Sequence, residues 1–303
     1  MSVAAPALES LTRVARFTAV MYKPHYLVYG ILWVLAVEGT AAVAAQPYSA
    51  WRPGGATVVR IVVVAVVLLY LRMVDEQKDL EYDRVHNPDR PLVTGAVSAN
   101  ELRAAMAVLG AVTIALSLTQ SFWSAVMLTA TLLYGLALWA LEARSVAVRG
   151  NALLNLAVTY PIQLLLAAYV LTAAAATGQV HFHWRAALVV LIFTGAFLHF
   201  EFARKTAQPP EQDEHSYSAV LGPTVSAVVT LLLAAGAVVT DLLLLGPGGQ
   251  AVFTLIPLVL LLIPGYSTWT FLRGERPVHP VVPSAVFVLA FYAVLIVQAL
   301  VRS

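Results

Sequence analysis

Four carboxylates gather in one polar stretch of an otherwise apolar sequence. Asp75, Glu76, Asp79 and Asp83 lie close together in the chain. A helix through this stretch would place Asp75, Asp79 and Asp83 on successive turns of one face, with Glu76 beside them. Because like charges at this spacing repel, the face predicts a bound cation. Mg²⁺ suits it, since magnesium takes one or two carboxylates together with water and phosphate oxygens.

Basic residues follow the carboxylates and indicate what else binds there. Lys78, Arg84 and Arg90 lie close enough in sequence to meet the negative charge of a phosphate group. Pro88 and Pro91 should end the helix. The stretch therefore fits a site for a magnesium–phosphate ligand. The alternative interpretation is a charged, solvated loop, which is what most charge runs form.

A second polar stretch, residues 204–222, follows a long apolar segment. Glu201 lies at the boundary between the two, where an unpaired charge is costly. Together with Asp213 it would supply a second set of metal ligands, while Arg204 and Lys205 would hold phosphate. The alternative is a boundary glutamate that only pairs with Arg204 or Lys205.

The composition is that of a membrane protein. Of the 303 residues, 60% are hydrophobic and 11% charged, and the mean hydropathy is +0.81, whereas soluble domains carry about a quarter charged residues. The chain has no cysteine, which excludes disulfides and thiolate chemistry. A net charge of +2 is too small and dispersed for a nucleic-acid partner.

Nine apolar stretches are long enough to cross a bilayer, and open-ended segments that face lipid must be helical. We therefore predict an all-α polytopic membrane protein with nine transmembrane helices in one domain, residues 1–303. The break at Gln120 and Ser121 is the least marked. The predicted spans are residues 25–45, 56–74, 102–118, 123–141, 152–174, 186–202, 224–245, 252–272 and 281–301.

The positive charges predict the orientation. All 18 Lys and Arg residues except Arg52, Arg60, Arg185 and Arg302 fall on the side of the N-terminus. The positive-inside rule therefore places the N-terminus and both polar stretches in the cytoplasm and the C-terminus outside. We expect an integral protein of the bacterial cell membrane, in which the second and sixth spans lead to a common mouth. Glu38 and Arg60 are predicted to form a structural ion pair.

The first polar stretch resembles the first signature of the UbiA superfamily of intramembrane prenyltransferases. That signature reads Asn-Asp-x-x-Asp-x-x-x-Asp and is followed closely by Arg-Pro and a Gly. Asp75 stands at the Asn position and Glu76 at the first Asp, while Asp79 and Asp83 match the other two. Both substitutions keep oxygen ligands. The trailing element is Arg90-Pro91 and Gly95.

The chain departs from the superfamily in two other places. The Asp-x-x-x-Asp pattern expected after the sixth span is absent, which leaves Glu201 with Glu211, Asp213 and Glu214 as the candidate ligands. The superfamily's Tyr-x-x-x-Lys element, which binds diphosphate, has only its tyrosine, Tyr134. Arg144 and Arg149 are the candidates for the missing lysine, and the alternative role of each is that of an ordinary positive anchor.

The resemblance implies a bundle around a central cavity and an isoprenyl diphosphate substrate held through Mg²⁺. It implies catalytic roles for Asp79, Asp83 and Glu201, and ionisation to an allylic cation. If a lipophilic acceptor, aromatic in the first interpretation, captures the cation, the protein is a prenyltransferase. If the double bond of a substrate such as farnesyl or geranylgeranyl diphosphate captures it, the protein is a terpene cyclase, a lyase.

Overall fold

The computed structural model describes residues 4–46, 50–181, 183–209, 211, 215–246 and 251–301. Within these ranges the chain is helical, apart from turns and one isolated bridge between Ala207 and Val278. The helices are α1 (Ala4–Met21), α2 (Pro24–Ala45), α3 (Gly55–Lys78), α4 (Leu80–His86), α5 (Ala99–Leu118), α6 (Phe122–Arg144), α7 (Val146–Gly150), α8 (Ala152–Thr159), α9 (Pro161–Ala176), α10 (Trp184–Leu188), α11 (Val190–Arg204), α12 (Tyr217–Leu221), α13 (Pro223–Leu245), α14 (Ala251–Leu260), α15 (Leu262–Leu272) and α16 (Val281–Val301).

The predicted spans are confirmed. Nine segments of the described chain are long and apolar enough to cross a membrane. Three of them are interrupted helices, formed by α8 with α9, α10 with α11, and α14 with α15. Pro161, which lacks a backbone N–H, begins α9 directly after the first of these breaks. The separation of α5 from α6 is real, because the Ser121 hydroxyl caps α6 by accepting from the Ser124 N–H at 3.0 Å.

Helix α1, which precedes the first span, was not among the predicted elements. Its Phe17 is buried, whereas Leu8 and Leu11 are exposed. Arg13 ties it to the start of α5, with Nη2 2.6 Å from Glu101 Oε1. The charges of α1 divide its apolar residues, so a search for long apolar stretches misses it. Helices of this composition lie along a membrane surface.

The core of the bundle depends on close helix packing. Helix α2 contacts α3, α9, α10 and α16, and its second half is fully buried. Gly195 lets α11 and α13 approach closely, because a Cβ there would lie 2.8 Å from the Leu233 carbonyl oxygen. Small residues at such contacts are typical of helices packed in lipid.

We call the end of the bundle where α3, α6 and α11 finish the polar end, and the other the opposite end. The predicted pair of Glu38 and Arg60 is confirmed at the opposite end, where both side chains are fully buried and Arg60 Nε lies 2.8 Å from Glu38 Oε2. Further hydrogen bonds join the pair to neighbouring helices and loops. Those contacts, at 2.8–3.1 Å, involve Trp51, Thr57, Gln120 and Thr177.

Candidate functional site

The two polar stretches meet at the polar end. The Tyr82 ring on α4 lies 6.2 Å from that of His215 in the second stretch, measured between ring centroids. The second stretch also reaches the connection between α15 and α16, where the His279 N–H donates to the Thr206 carbonyl at 2.9 Å. The expectation that the second and sixth spans lead to a common mouth is therefore confirmed.

Asp75 and Asp79 share one lysine. The helical hydrogen bonds continue from α3 into α4, since the Asp79 N–H donates to the Asp75 carbonyl and the Asp83 N–H to the Asp79 carbonyl, both at 2.8 Å. Lys78 Nζ lies 3.4 Å from Asp75 Oδ1 and 3.9 Å from Asp79 Oδ1. These carboxylates are 49% and 43% exposed, so both are open to a ligand from solvent.

Glu142, near the end of α6, joins the same lysine. Its Oε2 and Oε1 lie 3.3 and 3.4 Å from Lys78 Nζ, and Asn155 on α8 donates to Oε1 at 3.2 Å. The Glu142 side chain is only 7% exposed. We did not identify this residue from the sequence. The available signal was its spacing from Gly135, which places both residues on the inward face of α6.

The environment of Asp79 changes its acidity. Partial burial raises the pKa of the Asp79 carboxyl to about 6. Lys78 opposes this rise, while the neighbouring carboxylates of Asp75 and Glu142 contribute to it. A positively charged ligand would therefore stabilise the ionised form of Asp79.

Glu76 and Asp83 are buried and bound by arginine. Arg90 Nη1 lies 3.1 Å from Glu76 Oε1 and also contacts Asp83 Oδ2. Arg72 pairs with Glu76 as well, and Asn87 donates to Asp83 Oδ1 at 2.9 Å. Glu76 Oε2 is buried without a hydrogen-bond partner. The four carboxylates of the first stretch therefore divide into a half-exposed pair and a buried pair.

The residues after Arg90 form the turn that fixes its position. The Thr94 N–H donates to the Arg90 carbonyl at 2.9 Å, and the Val97 N–H to the Pro91 carbonyl at 3.3 Å. Gly95 has a φ of +76°, which residues with a side chain rarely adopt. The Arg-Pro and Gly of the trailing element thus form a hydrogen-bonded turn that holds the backbone of Arg90.

The structure does not bring Arg84 or Arg144 to these carboxylates. Arg84 is exposed and pairs with Glu81 at 2.8 Å. Arg144 is exposed and, two residues beyond Glu142, projects from another side of α6. It lines a surface groove of about 260 Å³ with Leu136, Trp139, Ala140 and Ala143.

Glu201 is held by three neighbours. Arg204 Nη2 lies 2.7 Å from its Oε2, and Lys205 Nζ lies 3.1 Å from its Oε1. The Tyr217 hydroxyl donates to Oε1 at 3.3 Å, and burial and Glu201 together raise the pKa of that hydroxyl above its ordinary value. These contacts agree with the alternative interpretation of the sequence, in which Glu201 is a boundary glutamate that pairs with Arg204 or Lys205. Asp213 and Glu214 lie outside the described residues.

The donor set at the polar end fits magnesium. Among the described residues, no three acidic or histidine side chains converge closely enough to hold a metal by themselves. Asp75 and Asp79 nevertheless present hard carboxylate oxygens to solvent. Mg²⁺ usually takes one or two carboxylates and completes its coordination with water and substrate phosphate. These two residues would hold the ion.

Aromatic rings lie inside the bundle. Tyr292 on α16 has its ring centroid 5.9 Å from that of Tyr29 and 5.3 Å from that of Phe193. Tyr160 and Phe197 form a second contact at 5.8 Å. Such faces attract a positively charged centre. These rings come from α2, α11 and α16, together with Tyr160 at the break between α8 and α9.

In the described residues, paired charges lie at one end of a bundle of candidate membrane-spanning helices, and aromatic rings lie in its interior. The chain belongs to the UbiA prenyltransferase family, whose sequence model matches residues 30–295. This family implies a prenyl diphosphate substrate and a membrane setting. No curated protein sequence matches the chain.

Solved structures show the same fold. One is the apo structure of a UbiA homolog from Aeropyrum pernix K1, with a TM-score of 0.62 and 18% identity. Another comes from work on a digeranylgeranylglyceryl phosphate synthase in membranes, with a TM-score of 0.59 and 16% identity. Each match covers 90% of this chain and 98% of the other. The resemblance identified from the first polar stretch is thus confirmed.

Proposed function

We propose that this protein uses Mg²⁺ to ionise an isoprenyl diphosphate at the polar end and transfers the prenyl group to a lipophilic, aromatic acceptor. One observation carries the proposal. Two half-exposed carboxylates, Asp75 and Asp79, lie beside the Lys78 ammonium in a chain of the UbiA family. Diphosphate needs metal ligands and positive charge together, and this arrangement provides both.

The protein's own cations receive the leaving group. The bond between the first prenyl carbon and the diphosphate oxygen breaks, and its electron pair leaves with the diphosphate. Lys78 and Arg90, and from the second stretch Arg204 and Lys205, compensate the added negative charge. Bound Mg²⁺ would act as a Lewis acid on the diphosphate oxygens.

The interior receives the prenyl tail and its cation. Aromatic faces such as those of Tyr29, Phe193 and Tyr292 stabilise the allylic cation, and the apolar bundle keeps water from it. An aromatic acceptor forms a bond to the cationic carbon and then loses a ring proton, which the released diphosphate accepts. Atoms and charge are thereby conserved without a further co-reactant.

The proposal includes an orientation. The polar end faces the cytoplasm, because most of the Lys and Arg residues lie on that side. The water-soluble diphosphate group of the substrate then reaches the site from the cytoplasm, while the prenyl tail stays in the bilayer. Reporter tags on the N-terminus and on the connection between α15 and α16 should both be inaccessible from outside intact cells.

The proposal is tested with purified protein in lipid nanodiscs. Geranyl, farnesyl and geranylgeranyl diphosphates are supplied with Mg²⁺, with and without aromatic acceptors, and released diphosphate and organic products are measured. We expect release that requires both an acceptor and Mg²⁺ and that stops in Asp79→Asn. The exposed Lys23→Gln variant is the control. A cyclic product without acceptor would identify the terpene cyclase instead, and no release under any condition would reject both functions.

A further inference from the structure

The cluster around Lys78 has more negative than positive charge. Asp75, Asp79 and Glu142 all lie within 3.9 Å of the one ammonium group. With every group ionised, three carboxylates and one ammonium leave a formal charge of −2. The neighbouring cluster differs, because Arg72 and Arg90 there match the two buried carboxylates. The excess charge around Lys78 equals that of one divalent cation.

The Lys78 ammonium group occupies the position where such a cation would bind. It lies between Asp75 and Asp79, the two carboxylates that are open to solvent. A metal that binds both would have to displace it, since two cations repel strongly at this separation. The lysine side chain is long and flexible, so the ammonium group can move by several ångströms while its backbone stays in place.

Glu142 is placed to receive the displaced group. Both of its oxygens already lie within 3.4 Å of Lys78 Nζ, and it is the least exposed of the three carboxylates. Asn155 holds its side chain from α8. Burial limits the access of a hydrated metal ion to Glu142, which makes a lysine a better partner for it than hydrated Mg²⁺.

We infer that Lys78 is a displaceable cation and that Glu142 is the positioning residue that holds it once the metal arrives. Without metal, Lys78 neutralises Asp75 and Asp79. When Mg²⁺ and diphosphate bind, the ammonium group moves fully to Glu142 and remains beside the diphosphate, where it takes the place of the lysine missing from α6. This inference rests on the proposed function, and it assigns Glu142 a role that no sequence motif gave it.

A double-mutant cycle on metal binding tests the inference. Mn²⁺ replaces Mg²⁺, and its binding to the detergent-solubilised full-length protein is followed by electron paramagnetic resonance without substrate. Lys78→Gln should bind Mn²⁺ about tenfold more tightly, because a competing charge is gone. Glu142→Gln should bind it about tenfold more weakly, because Lys78 then stays on Asp75 and Asp79. In the Lys78→Gln background, the Glu142→Gln change should cost no more than about threefold.

Two results would overturn the inference. If the Glu142→Gln effect is equal in both backgrounds within about twofold, Glu142 acts on the metal directly. If Lys78→Gln leaves Mn²⁺ affinity unchanged or weaker, Lys78 does not compete with the metal. Glu275→Gln, an exposed carboxylate on another connection, is the matched control and should change affinity by less than about twofold. Lys78→Met repeats the cycle if Lys78→Gln fails to fold.

The same measurements separate this inference from the proposed function. If the effects of Lys78→Gln and Glu142→Gln on Mn²⁺ affinity are additive and the wild-type protein releases diphosphate, only the role of Glu142 is rejected. If the two effects are coupled and the wild-type protein never releases diphosphate, the displacement of Lys78 stands and the proposed transfer is rejected.

Discussion

Two groups of charged side chains, one at each end of the bundle, show how differently the same residue types are used. At the opposite end, Glu38 and Arg60 carry equal and opposite charges. Both are fully buried and hydrogen-bonded to side chains from several elements. At the polar end, Lys78 has three carboxylate neighbours, two of which are half exposed. The first group has no position open to a ligand, whereas the second can accept a further cation.

The comparison teaches that burial alone does not identify a functional charge. Glu38 and Arg60 are ionisable residues within spans, and such residues are functional candidates by default. Their complete set of partners indicates a structural role, since they join α2 and α3 to three connections between helices, at Trp51, Gln120 and Thr177. Unequal charge together with partial exposure separates the Lys78 cluster from this pair.

Breaking the opposite-end pair should destabilise the protein without affecting its chemistry. Arg60→Met leaves Glu38 buried and unpaired, which should lower the free energy of unfolding by about 3–5 kcal/mol. Thermal unfolding in detergent measures this loss. The double variant Glu38→Met with Arg60→Met should recover much of it. An Arg60→Met protein as stable as the wild type would show that the pair does not hold the helices together.

The two kinds of carboxylate in the first stretch should respond differently to neutralisation. Asp79→Asn should lower turnover by at least about 100-fold, because it removes one of the two carboxylates that would hold Mg²⁺. Asp83→Asn should lower turnover by at least about 100-fold, because Arg90 then loses a partner that positions it. Only Asp83→Asn should also lower the unfolding temperature, since Arg90 then loses a buried partner. Asp89→Asn, exposed in the same stretch, is the control. Full activity in both variants would reject the proposed site.

A buried histidine at the polar end should make stability depend on pH. Burial, reinforced by nearby His199, lowers the pKa of His279 to about 4. The unfolded chain therefore takes up a proton as pH falls below about 6.5, while folded His279 stays neutral, so stability is lost toward acid pH. Between pH 7 and 5 we expect this one group to contribute a loss on the order of 2 kcal/mol. His279→Gln should therefore lose correspondingly less stability than the wild type over this range, whereas the exposed His86→Gln should lose as much as the wild type; equal curves for the wild type and His279→Gln would contradict this assignment.

The proposed function gives the basic neighbours of Glu201 a role in binding diphosphate. Arg204→Gln should raise the KM for the prenyl diphosphate about tenfold, because one charge-assisted hydrogen bond to phosphate is lost. Steady-state kinetics against Arg276→Gln, an exposed arginine on another connection, measure the effect. An unchanged KM would mean that Arg204 serves only to neutralise Glu201.

The smallest effect is expected at Arg144. The sequence predicts a role in diphosphate binding, but in the structure its side chain lines the surface groove on α6. Arg144→Gln should therefore change the KM for the prenyl diphosphate by less than about twofold. A tenfold increase would restore Arg144 to the site and require its side chain to turn toward Glu142 during catalysis.

The sequence predicted the parts of this molecule that depend on local patterns. Span length follows from apolar composition, and the order of Asp75, Glu76, Asp79 and Asp83 reflects the helix that carries them. The partners could not be predicted in the same way. Lys78 and Glu142 are 64 positions apart, and only the packing of α3 against α6 brings them together. The pairing of Arg90 with Asp83 likewise depends on the turn that follows α4, in which the Arg90 N–H donates to the Asn87 carbonyl at 3.2 Å.

The close contact at Gly195 has a consequence for motion at the second polar stretch. A backbone carbonyl lies directly against this glycine, so at this point α11 and α13 pack without a large side chain between them. The two helices should therefore shift as one rigid body. The segment that joins them starts and finishes on that body, and its two anchoring points keep a constant separation. Any accommodation of a bound headgroup must then take place within the segment itself, by rotation of its own bonds.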